Sequence, residues 1–492
     1  MHVESCGFGD HDRRTYRGQS TGRVRPRRGR PVSGTGRRRA GAGGGGTRLT
    51  RRGRTVSWLA GGAALLVLGV GGVGAWIYKD LDGNITGADV DSKLGGDRPV
   101  NLSPGSKNIM VVGSDSRDGA NAKYGKDLTT MQSDTLMVLH LPANREWATV
   151  VSFPRDSWVE IAACEKGDGS TSGPHLAKIN EAFAIGGSGG EVAGAAACSI
   201  RTVEANTGLR IDNFMSVDFQ GFKGMVDALD GIEVCPEQAI KDDNALLDME
   251  AGCQTVDGET ALGYVRTRYA VGDGSDIGRI GRQQEFMETL AAKAKSRLTS
   301  PTSLYDFMQS ATKSLTTDED LDGIDPLYDL ASQLKGIPSD RLTFLTVPNY
   351  PREADVPADR ANIVWQYPQA ADLFTSLAND KEVDKKKLQA RAKDELIYAS
   401  DVRVQVLNGT GVSGRAAAVA EELRKAGFTV VGTGNAPENT DTTTVAHPAD
   451  LARQAKVLAS RLPDVKAARS ADAAAGVVTL VVGSDLDLEK LR

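Results

Sequence analysis

Histidine and cysteine are scarce in this sequence, which restricts the metal sites that it can build. There are five residues of each type, the histidines are scattered along the chain, and no two cysteines form a C-x-x-C pair. Structural zinc sites gather thiolates and imidazoles at short spacings of that kind. The scarcity therefore disfavours a structural zinc site. Zinc binding is nevertheless kept as the alternative to disulfide bonds in explaining the cysteines.

The first 55 residues contain no lysine and only three acidic residues, but they contain fifteen arginines. The rest of this segment is rich in Gly, Ser and Pro, a composition that cannot build a packed core. An arginine-rich flank beside a membrane span stays on the cytoplasmic side of the membrane. We therefore expect residues 1–55 to be a disordered cytoplasmic tail. Its arginines could contact anionic lipid or nucleic acid, but a role in setting the topology is favoured.

Charge is absent from residues 56–78, VSWLAGGAALLVLGVGGVGAWIY. At about 1.5 Å per residue, a helix of this length crosses a hydrocarbon core about 30 Å thick. Trp58, Trp76 and Tyr78 lie near its ends, where amphipathic rings prefer the headgroup level. A cleaved signal peptide is the alternative, but the long preceding tail and the lack of an A-x-A site favour an anchor. The sequence therefore predicts a single-pass protein of the cytoplasmic membrane, with everything after Lys79 extracytoplasmic.

The extracytoplasmic part has an excess of acidic side chains. Beyond residue 55 the chain has 44 basic and 61 acidic residues, which gives a net charge of about −17. Such a charge disfavours bulk binding of nucleic acid, and no nucleic-acid partner is expected. Any anionic ligand must therefore be held by a local cluster of cations.

Four of the five cysteines follow the predicted membrane span, in the compartment where disulfides persist. Four cysteines allow three connectivities. We favour Cys164–Cys198 and Cys235–Cys253, because each pair brackets a loop-like insert. Each bridge could contribute about 3–4 kcal/mol through loop closure. Cys6 lies in the cytoplasmic tail and is expected to stay reduced.

Short apolar runs alternate with helical patterns over residues 105–380, which predicts one large α/β domain with strands buried on both faces. A polar segment rich in Asp, Gly and Ser, residues 79–104, precedes it and reads as a stalk. The predicted strands are 108–117, 134–141, 148–156 and 341–348, and the predicted helices are 178–187, 200–206, 222–231, 282–298 and 370–378.

A charged linker, residues 381–400, separates this domain from a small α/β module at 401–486. The module begins with VRVQVLNGTG, a strand followed by a glycine turn, and continues with an amphipathic helix at 416–428. Such a turn resembles phosphate-binding βα units, but one glycine turn is weak evidence. A structural C-terminal module is the favoured interpretation.

Two aspartates occupy the ends of predicted strands. Asp115 lies in GSDSR at the end of one strand, and Asp134 lies in QSDT at the start of the next. Open α/β sheets place ligands at strand ends, and two carboxylates there could hold a hard cation such as Mg²⁺. The alternative is that an Asp in a Ser-Asp-Ser turn only caps backbone N–H groups. Spacing alone leaves both interpretations open.

Cations stand in similar apolar or strand-end contexts on this net-acidic domain. Guanidinium groups match phosphate oxygens bidentately, whereas isolated arginines usually belong to the solvated surface or to ion pairs. If YVRTRY (264–269) is extended, its two arginines point to one face. Carboxylates, a metal and an arginine cluster together suit phosphoryl transfer. The cations are Arg155, Lys178, Arg266, Arg268, Arg279 and Arg282.

The motifs GSDSR, QSDT, SFPRDS, KINEAF, VDFQGF, DALDGIEV, YVRTRY and GSDIGRIGRQQ occur in this order over residues 105–380. In this series the chain resembles the LytR–CpsA–Psr family of cell-envelope transferases. Residues 401–486 look like the LytR-type C-terminal domain that accompanies the family in actinobacteria. The resemblance implies a large mixed-sheet α/β/α catalytic domain with a small C-terminal α/β domain, preceded by one transmembrane helix.

The resemblance also implies a reaction, namely transfer of an envelope glycopolymer from polyprenyl pyrophosphate to peptidoglycan through a phosphodiester, with release of polyprenyl phosphate. Carried over by motif, Asp115 and Asp134 would manage Mg²⁺ and act in catalysis with Arg155, Arg266 and Arg268. The group that deprotonates the acceptor hydroxyl stays open. Further residues implied at the pyrophosphate are Arg117, Lys178, Arg279, Arg282 and Gln283, with Asp156 nearby.

Two other functions compete with the transferase. A secreted polyprenyl pyrophosphatase would use the same site with water as the acceptor, and a non-catalytic envelope regulator would form no product. The segment VDFQGFKGMVDAL could wall a hydrocarbon tunnel for the lipid or could simply pack in the core. The sequence does not identify the polymer, and arabinogalactan, teichoic-type and capsular polymers all stay open.

Overall fold

The structure is a computed structural model that describes residues 74–114, 131, 133–267, 276–297, 300–462, 465–471 and 473–487. The predicted tail and most of the predicted membrane span lie outside these residues. Within the described part of the chain, no helix is both long enough and apolar enough to cross a membrane.

The strands of the described residues are mostly short. Their bounds are β1 Thr86–Ala88, β2 Lys107–Ser114, β3 Ser133–Leu141, β4 Ala148–Phe153, β5 Trp158–Ile161, β6 Cys164–Glu165, β7 Thr171–Ser172, β8 His175–Lys178, β9 Asn213–Asp218, β10 Ile232–Val234, β11 Ile240–Asp242, β12 Leu247–Met249, β13 Gln254–Val256, β14 Leu315–Asp318, β15 Leu342–Thr346, β16 Asn349–Pro351, β17 Ile363–Trp365, β18 Arg403–Asn408, β19 Thr429–Asn435, β20 Thr444–His447, β21 Ala467–Arg469 and β22 Val478–Val482.

The helices include several that the sequence patterns did not predict. Residues 74–82 are helical (α1). The other helices are α2 Asp91–Leu94, α3 Glu181–Gly186, α4 Val192–Thr207, α5 Phe219–Ala228, α6 Gly258–Arg266, α7 Asp276–Arg297, α8 Pro301–Lys313, α9 Ile324–Gly336, α10 Gln369–Ala378, α11 Lys385–Asp394, α12 Arg415–Lys425 and α13 Ala452–Ala459.

A seven-stranded mixed sheet in the order β1-β14-β9-β2-β3-β4-β15 forms the centre of the large domain. Strand β2 is parallel to β9 and antiparallel to β3, which is in turn antiparallel to β4. Because successive side chains of a strand point to opposite faces, each strand contributes side chains to the packing on both faces of the sheet. Met110 and Val112 pack with α3, α4 and α10, whereas Ile109 and Val111 pack on the side of α9. Helices on both faces give the α/β/α arrangement that was expected.

The C-terminal module has its own five-stranded sheet, in the order β19-β18-β22-β20-β21. Its core is continuous with the core of the large domain, since Val404, Leu423 and Leu480 belong to the same cluster of buried residues as Phe153 and Trp365. The two domains therefore share one hydrophobic core instead of meeting only at a linker.

Two segments differ from expectation. Residues 79–104 were expected to form a stalk, but β1 within them pairs in parallel with β14 and so extends the central sheet. Residues 381–400 were expected to form a charged linker, but they contain helix α11, whose Leu388 is buried in the shared core. In α11 the carboxylate of Asp384 accepts a hydrogen bond from the backbone N–H of Lys387 at 2.9 Å. The segment was predicted to be a linker because of its many charges, but it contains a short amphipathic helix with an Asp N-cap.

Both expected disulfides are present. Cys164, at the start of β6, is bonded to Cys198 in α4, and Cys235, after β10, is bonded to Cys253, before β13. The first bridge is buried, because Cys164 and Cys198 are 1% and 2% exposed. The prediction of this pairing is confirmed, and the zinc alternative is excluded for these four residues.

Candidate active site

Several strands end at one edge of the central sheet, and their directions bring distant residues together there. Strand β2 runs toward this edge and pairs Ser114 with Ser133 at the start of β3. Strand β4 pairs Phe153 with Leu136, so that Arg155 follows close to Asp134. The antiparallel order of β2, β3 and β4 therefore places the QSDT and FPRD motifs side by side.

An ion-pair network joins the two motifs. Arg155 Nη1 donates to Asp134 Oδ1 at 2.8 Å, and Arg155 Nε lies 3.6 Å from Asp156 Oδ2. Asp156 in turn accepts from Lys178 Nζ at 2.7 Å. All four side chains are partly or largely buried, which strengthens their interactions relative to those of surface pairs. Lys178 ends strand β8 opposite Trp158, instead of opening a helix as the KINEAF pattern predicted.

A cavity of about 520 Å³ lies beside this network. Its walls are mainly apolar and come from the middle of the central strands and from α5, α6 and α7. The apolar lining includes Val111, Met137, Val150, Phe219, Phe222, Met225, Leu262, Val265, Phe286, Met287, Leu290, Phe344 and Leu345. Asp134, Arg155 and Arg266 also line it, so that hydrocarbon walls and ionic groups share one space. Helix α5, from the VDFQGF segment, forms a wall of this cavity, as one of the two interpretations of that segment expected.

Arg266 reaches the cavity from the last residue of helix α6. The first half of the YVRTRY motif is helical, so the condition under which its two arginines would share one face of an extended segment is not met there. Asp257 accepts from the backbone N–H of Thr260 at 2.9 Å and caps the helix, and Ala261, Leu262 and Val265 recur at helical spacing. The guanidinium of Arg266 lies 4.9 Å from the centre of the Phe219 ring.

Helix α7 contributes Gln283 to the cavity, but Arg282 is directed elsewhere. Gln283 lines the cavity and donates from Nε2 to the carbonyl of Val265 at 2.9 Å. Arg282 donates from Nη2 to the carbonyl of Thr267 at 2.9 Å, and burial lowers the pKa of its guanidinium. Arg282 therefore supports the chain just after Arg266 instead of lining the described cavity.

Some of the predicted site residues lie outside the described residues. These are Asp115, Arg117 and Arg268, together with the side chain of Arg279 in α7. Their proposed roles stay predictions. Of the others, the structure brings together Asp134, Arg155, Lys178, Arg266 and Gln283 around or beside the cavity.

The cavity also has polar residues that sequence reasoning did not select. Asp218 ends β9 and accepts from the backbone N–H of Gly221 at 2.8 Å, which caps α5. Asp242 accepts from Thr267 Oγ1 at 2.6 Å. Gln284 donates from Nε2 to Thr346 Oγ1 at 2.5 Å. The first lies within the VDFQGF motif and could have been found, whereas Asp242 has no local pattern that marks it.

Within the described residues no three His, Cys, Asp or Glu side chains are grouped as a complete protein cage for a metal. Mg²⁺ does not need such a cage, since it keeps several waters and is usually bound by one or two carboxylates and by substrate phosphates. Asp134 is a carboxylate at the cavity wall with a side chain that is 27% exposed. Its oxygen atoms are hard donors of the kind that Mg²⁺ takes, and one of them already accepts a hydrogen bond from Arg155. The Mg²⁺ site stays a prediction.

The LytR–CpsA–Psr family model matches residues 77–379, more than half of the chain. The chain belongs to the LytR–CpsA–Psr family. A second model, described as the LytR cell envelope-related transcriptional attenuator, matches residues 401–486.

Proteins of Corynebacterium glutamicum and Bacillus subtilis are similar to this chain in sequence. The chain is 35% identical over 281 residues to the probable cell wall biosynthesis protein LcpB of Corynebacterium glutamicum, which covers 55% of this chain and 60% of LcpB. It is 28% identical to LcpA of the same organism, over 86% of this chain and 83% of LcpA. The polyisoprenyl-teichoic acid–peptidoglycan teichoic acid transferase TagT of Bacillus subtilis is 28% identical, over 58% of this chain and 85% of TagT.

Solved structures of similar proteins include a LytR–Csp2A–Psr enzyme from Actinomyces oris. It has a TM-score of 0.45 and 17% identity, and the match covers 61% of this chain and 97% of that one. The crystal structure of TagT from B. subtilis has a TM-score of 0.39 and 22% identity, with 61% and 100% covered.

Proposed function

We propose that this LytR–CpsA–Psr protein transfers an envelope glycopolymer from a polyprenyl-pyrophosphate carrier to peptidoglycan. The observation that carries the proposal is the apolar cavity whose wall also holds Asp134, Arg155 and Arg266. A polyprenyl pyrophosphate combines a long hydrocarbon with two phosphates, and this space offers both chemistries. The names of the TagT and TagU relatives describe transfer of teichoic acid to peptidoglycan and agree with this assignment.

The apolar walls bind the prenyl chain in this proposal. Each methylene removed from water contributes about 0.8 kcal/mol, so that the hydrocarbon supplies much of the affinity for the donor. The chain of the lipid lies against Val150, Phe222 and Leu290, and its pyrophosphate lies toward the ionic groups. A shorter prenyl chain accordingly weakens binding more than it slows the chemical step.

The ionic groups position the pyrophosphate and stabilise charge. The guanidinium groups of Arg155 and Arg266 donate to phosphate oxygens, and Lys178 holds Asp156 against Arg155. Asp134, with Asp115, would hold Mg²⁺, which would neutralise part of the pyrophosphate charge. The acceptor hydroxyl attacks the phosphorus that carries the polymer and gives up its proton. The bond from that phosphorus to the bridging oxygen breaks, and polyprenyl phosphate leaves with the electron pair.

The anchor and the location belong to the same proposal. Residues 56–78 would span the cytoplasmic membrane, with residues 1–55 on the cytoplasmic side and the two folded domains outside. This topology would expose the folded domains on the extracytoplasmic side, the side on which a polyprenyl-linked polymer would be used. The disulfides agree with an oxidising compartment.

A transfer assay with an Asp134→Ala variant tests the proposal. The full chain is given a synthetic polyprenyl-pyrophosphate saccharide and a peptidoglycan fragment, with and without Mg²⁺, and the products are identified by mass spectrometry. We expect a phosphodiester-linked product, and a loss of about 10²-fold or more in Mg²⁺-dependent turnover for Asp134→Ala, while the lipid still binds. Asp450→Asn, at an exposed position of the C-terminal domain, is the matched control.

Each alternative function gives a different product in this assay. Free saccharide phosphate without a linked product would identify a pyrophosphatase. No product of either kind from a folded, lipid-binding protein would favour a regulator. Both results would contradict the transferase.

A further inference from the structure

A second, much smaller cleft lies between the large domain and the C-terminal domain. Trp158 of β5 and Trp365 of β17 line one side, and Lys425 at the end of α12 and Arg461 after α13 line the other. The cleft holds about 50 Å³. One water needs about 10–15 Å³ of such space, so there is room for a few waters or for one small polar group.

Arg461 in this cleft lacks a partner that its burial demands. The residue is only 5% exposed, and its Nε and Nη2 atoms have no hydrogen-bond partner among the described residues. Its guanidinium lies over the rings of Tyr367 and Phe428, at 4.7 and 5.5 Å, but no carboxylate of the described residues forms an ion pair with it. A buried cation without an anion is costly, because its hydration is lost and nothing replaces it.

Two other arginines of this chain show what the same edge of a guanidinium binds. Arg98 donates from Nε and Nη2 to the carboxylate of Glu204, at 3.0 and 2.6 Å. Arg341 donates from the same two atoms to both oxygens of Glu382, at 3.0 and 2.8 Å. Nε and Nη2 form a fork that fits two oxygens of one oxyanion. In Arg461 both atoms of this fork, Nε and Nη2, lack a hydrogen-bond partner among the described residues.

A second unpartnered donor lines the same cleft. The indole Nε1 of Trp158 is buried and has no hydrogen-bond partner within the part of the chain that the structure describes. Trp158 also stacks against Arg352, whose guanidinium lies 5.0 Å from its ring. Two residues with buried N–H donors that lack a hydrogen-bond partner among the described residues therefore line one small cleft.

The remaining cations of the cleft are already engaged. Arg352 forms an ion pair with Asp359 and donates from Nη2 to the carbonyl of Lys425 at 2.8 Å, which links the two domains. Lys425 Nζ donates to Glu422 at 2.8 Å. Glu422, another residue of the cleft wall, is the partner of Lys425, and no hydrogen bond from Arg461 Nε or Nη2 to any described residue is formed. Arg461 is thus the buried cation here for which an external anion is the natural partner.

We propose that this cleft binds one oxyanion group, a carboxylate or a phosphate, held by the Nε–Nη2 fork of Arg461 and the indole N–H of Trp158. The cleft has room for such a group but not for a whole sugar, so the group is the end or a substituent of a larger molecule. Because each domain supplies one of the donors, the C-terminal domain completes the site. The proposal rests on the cleft alone and does not depend on the transfer reaction.

The indole signal of Trp158 reports on this site separately from the catalytic cavity. The full chain has five tryptophans, so ¹⁵N labelling of Trp gives a small set of indole N–H signals, and Trp158→Phe identifies the one from Trp158. Sodium phosphate and sodium acetate are titrated at constant ionic strength. We expect a saturable shift of the Trp158 signal, with an apparent affinity at least about 10-fold weaker in Arg461→Gln, since one lost charged interaction of 1.4 kcal/mol is tenfold.

Control variants separate anion binding from a purely structural role of Arg461. Arg461→Lys keeps a cation against the rings but lacks the fork, and it should weaken binding nearly as much as Arg461→Gln. It also decides the question if Arg461→Gln does not fold. Arg453→Gln, an exposed arginine of the neighbouring helix, and Arg266→Ala, in the catalytic cavity, should leave the Trp158 titration unchanged.

The two anions also distinguish the source of the ligand. A preference for acetate indicates an acidic sugar or a peptide carboxylate, and a preference for phosphate indicates a phosphodiester; both support the site. The proposal is overturned if neither anion shifts the Trp158 signal saturably, or if folded Arg461→Lys binds the anions as the unmodified chain does. In that case Arg461 only stacks between Tyr367 and Phe428.

Discussion

Two hydrophobic clusters of this protein are built in opposite ways. The first, here called the packed core, runs from one face of the central sheet into the C-terminal domain and includes the buried Cys164–Cys198 bridge. The second, here called the hollow cluster, consists mainly of buried residues in or next to α5–α7 and the antiparallel strand pairs β10–β13 and β11–β12. Its buried residues Ala245 and Phe286, and the partly buried Phe222 and Leu290 that pack against it, line the cavity of about 520 Å³.

The packed core and the hollow cluster therefore have different roles: the first stabilises the fold, and the second leaves a cavity in which a ligand can bind. Atoms that line empty space lose contacts, so that a large apolar cavity weakens the packing around it. Ligand sites nevertheless need concave, mostly apolar space with a few well-placed polar groups. The hollow cluster meets that requirement at the sheet edge where Asp134 and Arg155 lie, and the packed core holds the rest of the fold around it.

Loss of Arg266 should have the largest effect, and it should be confined to the function of the hollow cluster. Removing one donor from a site where charge develops typically costs about 10²–10³ in rate. Arg266→Ala should therefore lose transfer by that factor, because Arg266 reaches the cavity from the end of α6. Turnover is measured with the synthetic donor, and folding is followed by thermal unfolding.

Two matched variants sharpen this test. Arg297→Ala removes an exposed arginine of α7 that pairs with Asp230 at the surface, and it should leave turnover unchanged. Arg266→Lys should rescue poorly, since an ammonium cannot reproduce a bidentate fork. Near-normal turnover of folded Arg266→Ala would remove this residue from the site.

Removing each disulfide in turn tests how much each cluster contributes to the free energy of unfolding. Loop closure over a sequence separation of 34 predicts a loss of about 4 kcal/mol for Cys164→Ala with Cys198→Ala, and a separation of 18 predicts about 3 kcal/mol for Cys235→Ala with Cys253→Ala. The first pair should lose more again, because its buried sulfurs leave space in the packed core. The free energy of unfolding in urea measures both.

A larger loss from the second pair would contradict the distinction between the two clusters. Unchanged stability of both variants would show that neither bridge forms in the protein. Non-reducing peptide mapping of the unmodified chain is the control, and it should join each cysteine to its partner in the structure.

The central strands could be predicted because they leave a local signal. Continuous apolar runs marked β2, β3, β4 and β15 to within a few residues, and the motifs at their ends marked Asp134 and Arg155. Strand β9 was not predicted, although it pairs with β2 in the middle of the sheet. Its residues Asn213–Asp218 mix polar and apolar side chains, and only the tertiary pairing selects an extended conformation.

The candidate site could be predicted only where its residues belong to compact motifs. Arg266 was identified, but its helical setting was missed, because the β-branched and aromatic neighbours outweighed the N-cap at Asp257. Asp242 reaches the cavity from a separate hairpin, β11–β12, and no pattern near it marks a ligand site. Arg461 Nε and Nη2 lack a hydrogen-bond partner among the described residues, and this depends on which acceptors the fold places near them, so no single segment of sequence contains that information.

The smallest expected effect is on the free energy of unfolding, and it comes from the N-terminal caps of one helix in each cluster. Helix α6, which carries Arg266, is capped by the carboxylate of Asp257, whereas α4 in the packed core has no side-chain cap. Loss of an Asp N-cap typically costs about 1 kcal/mol. Asp257→Ala should therefore lower the free energy of unfolding by about that amount at neutral pH, while Glu191→Ala, at the start of α4, should change it little.

The pH dependence of the Asp257 effect identifies the cap as its cause. The hydrogen bonds from Thr260 lower the pKa of Asp257 below its ordinary value of 3.8, so the folded state holds this proton less tightly than the unfolded state does. The stability due to the charged cap is therefore complete above about pH 4 and is lost as the pH falls through the lowered folded-state pKa. Asp257→Asn keeps an acceptor without a titrating proton, so its difference from the unmodified chain should shrink in acid. A difference between Asp257→Ala and the unmodified chain that is the same at pH 7 and below the folded-state pKa would show that the carboxylate charge contributes nothing to starting the helix that carries Arg266.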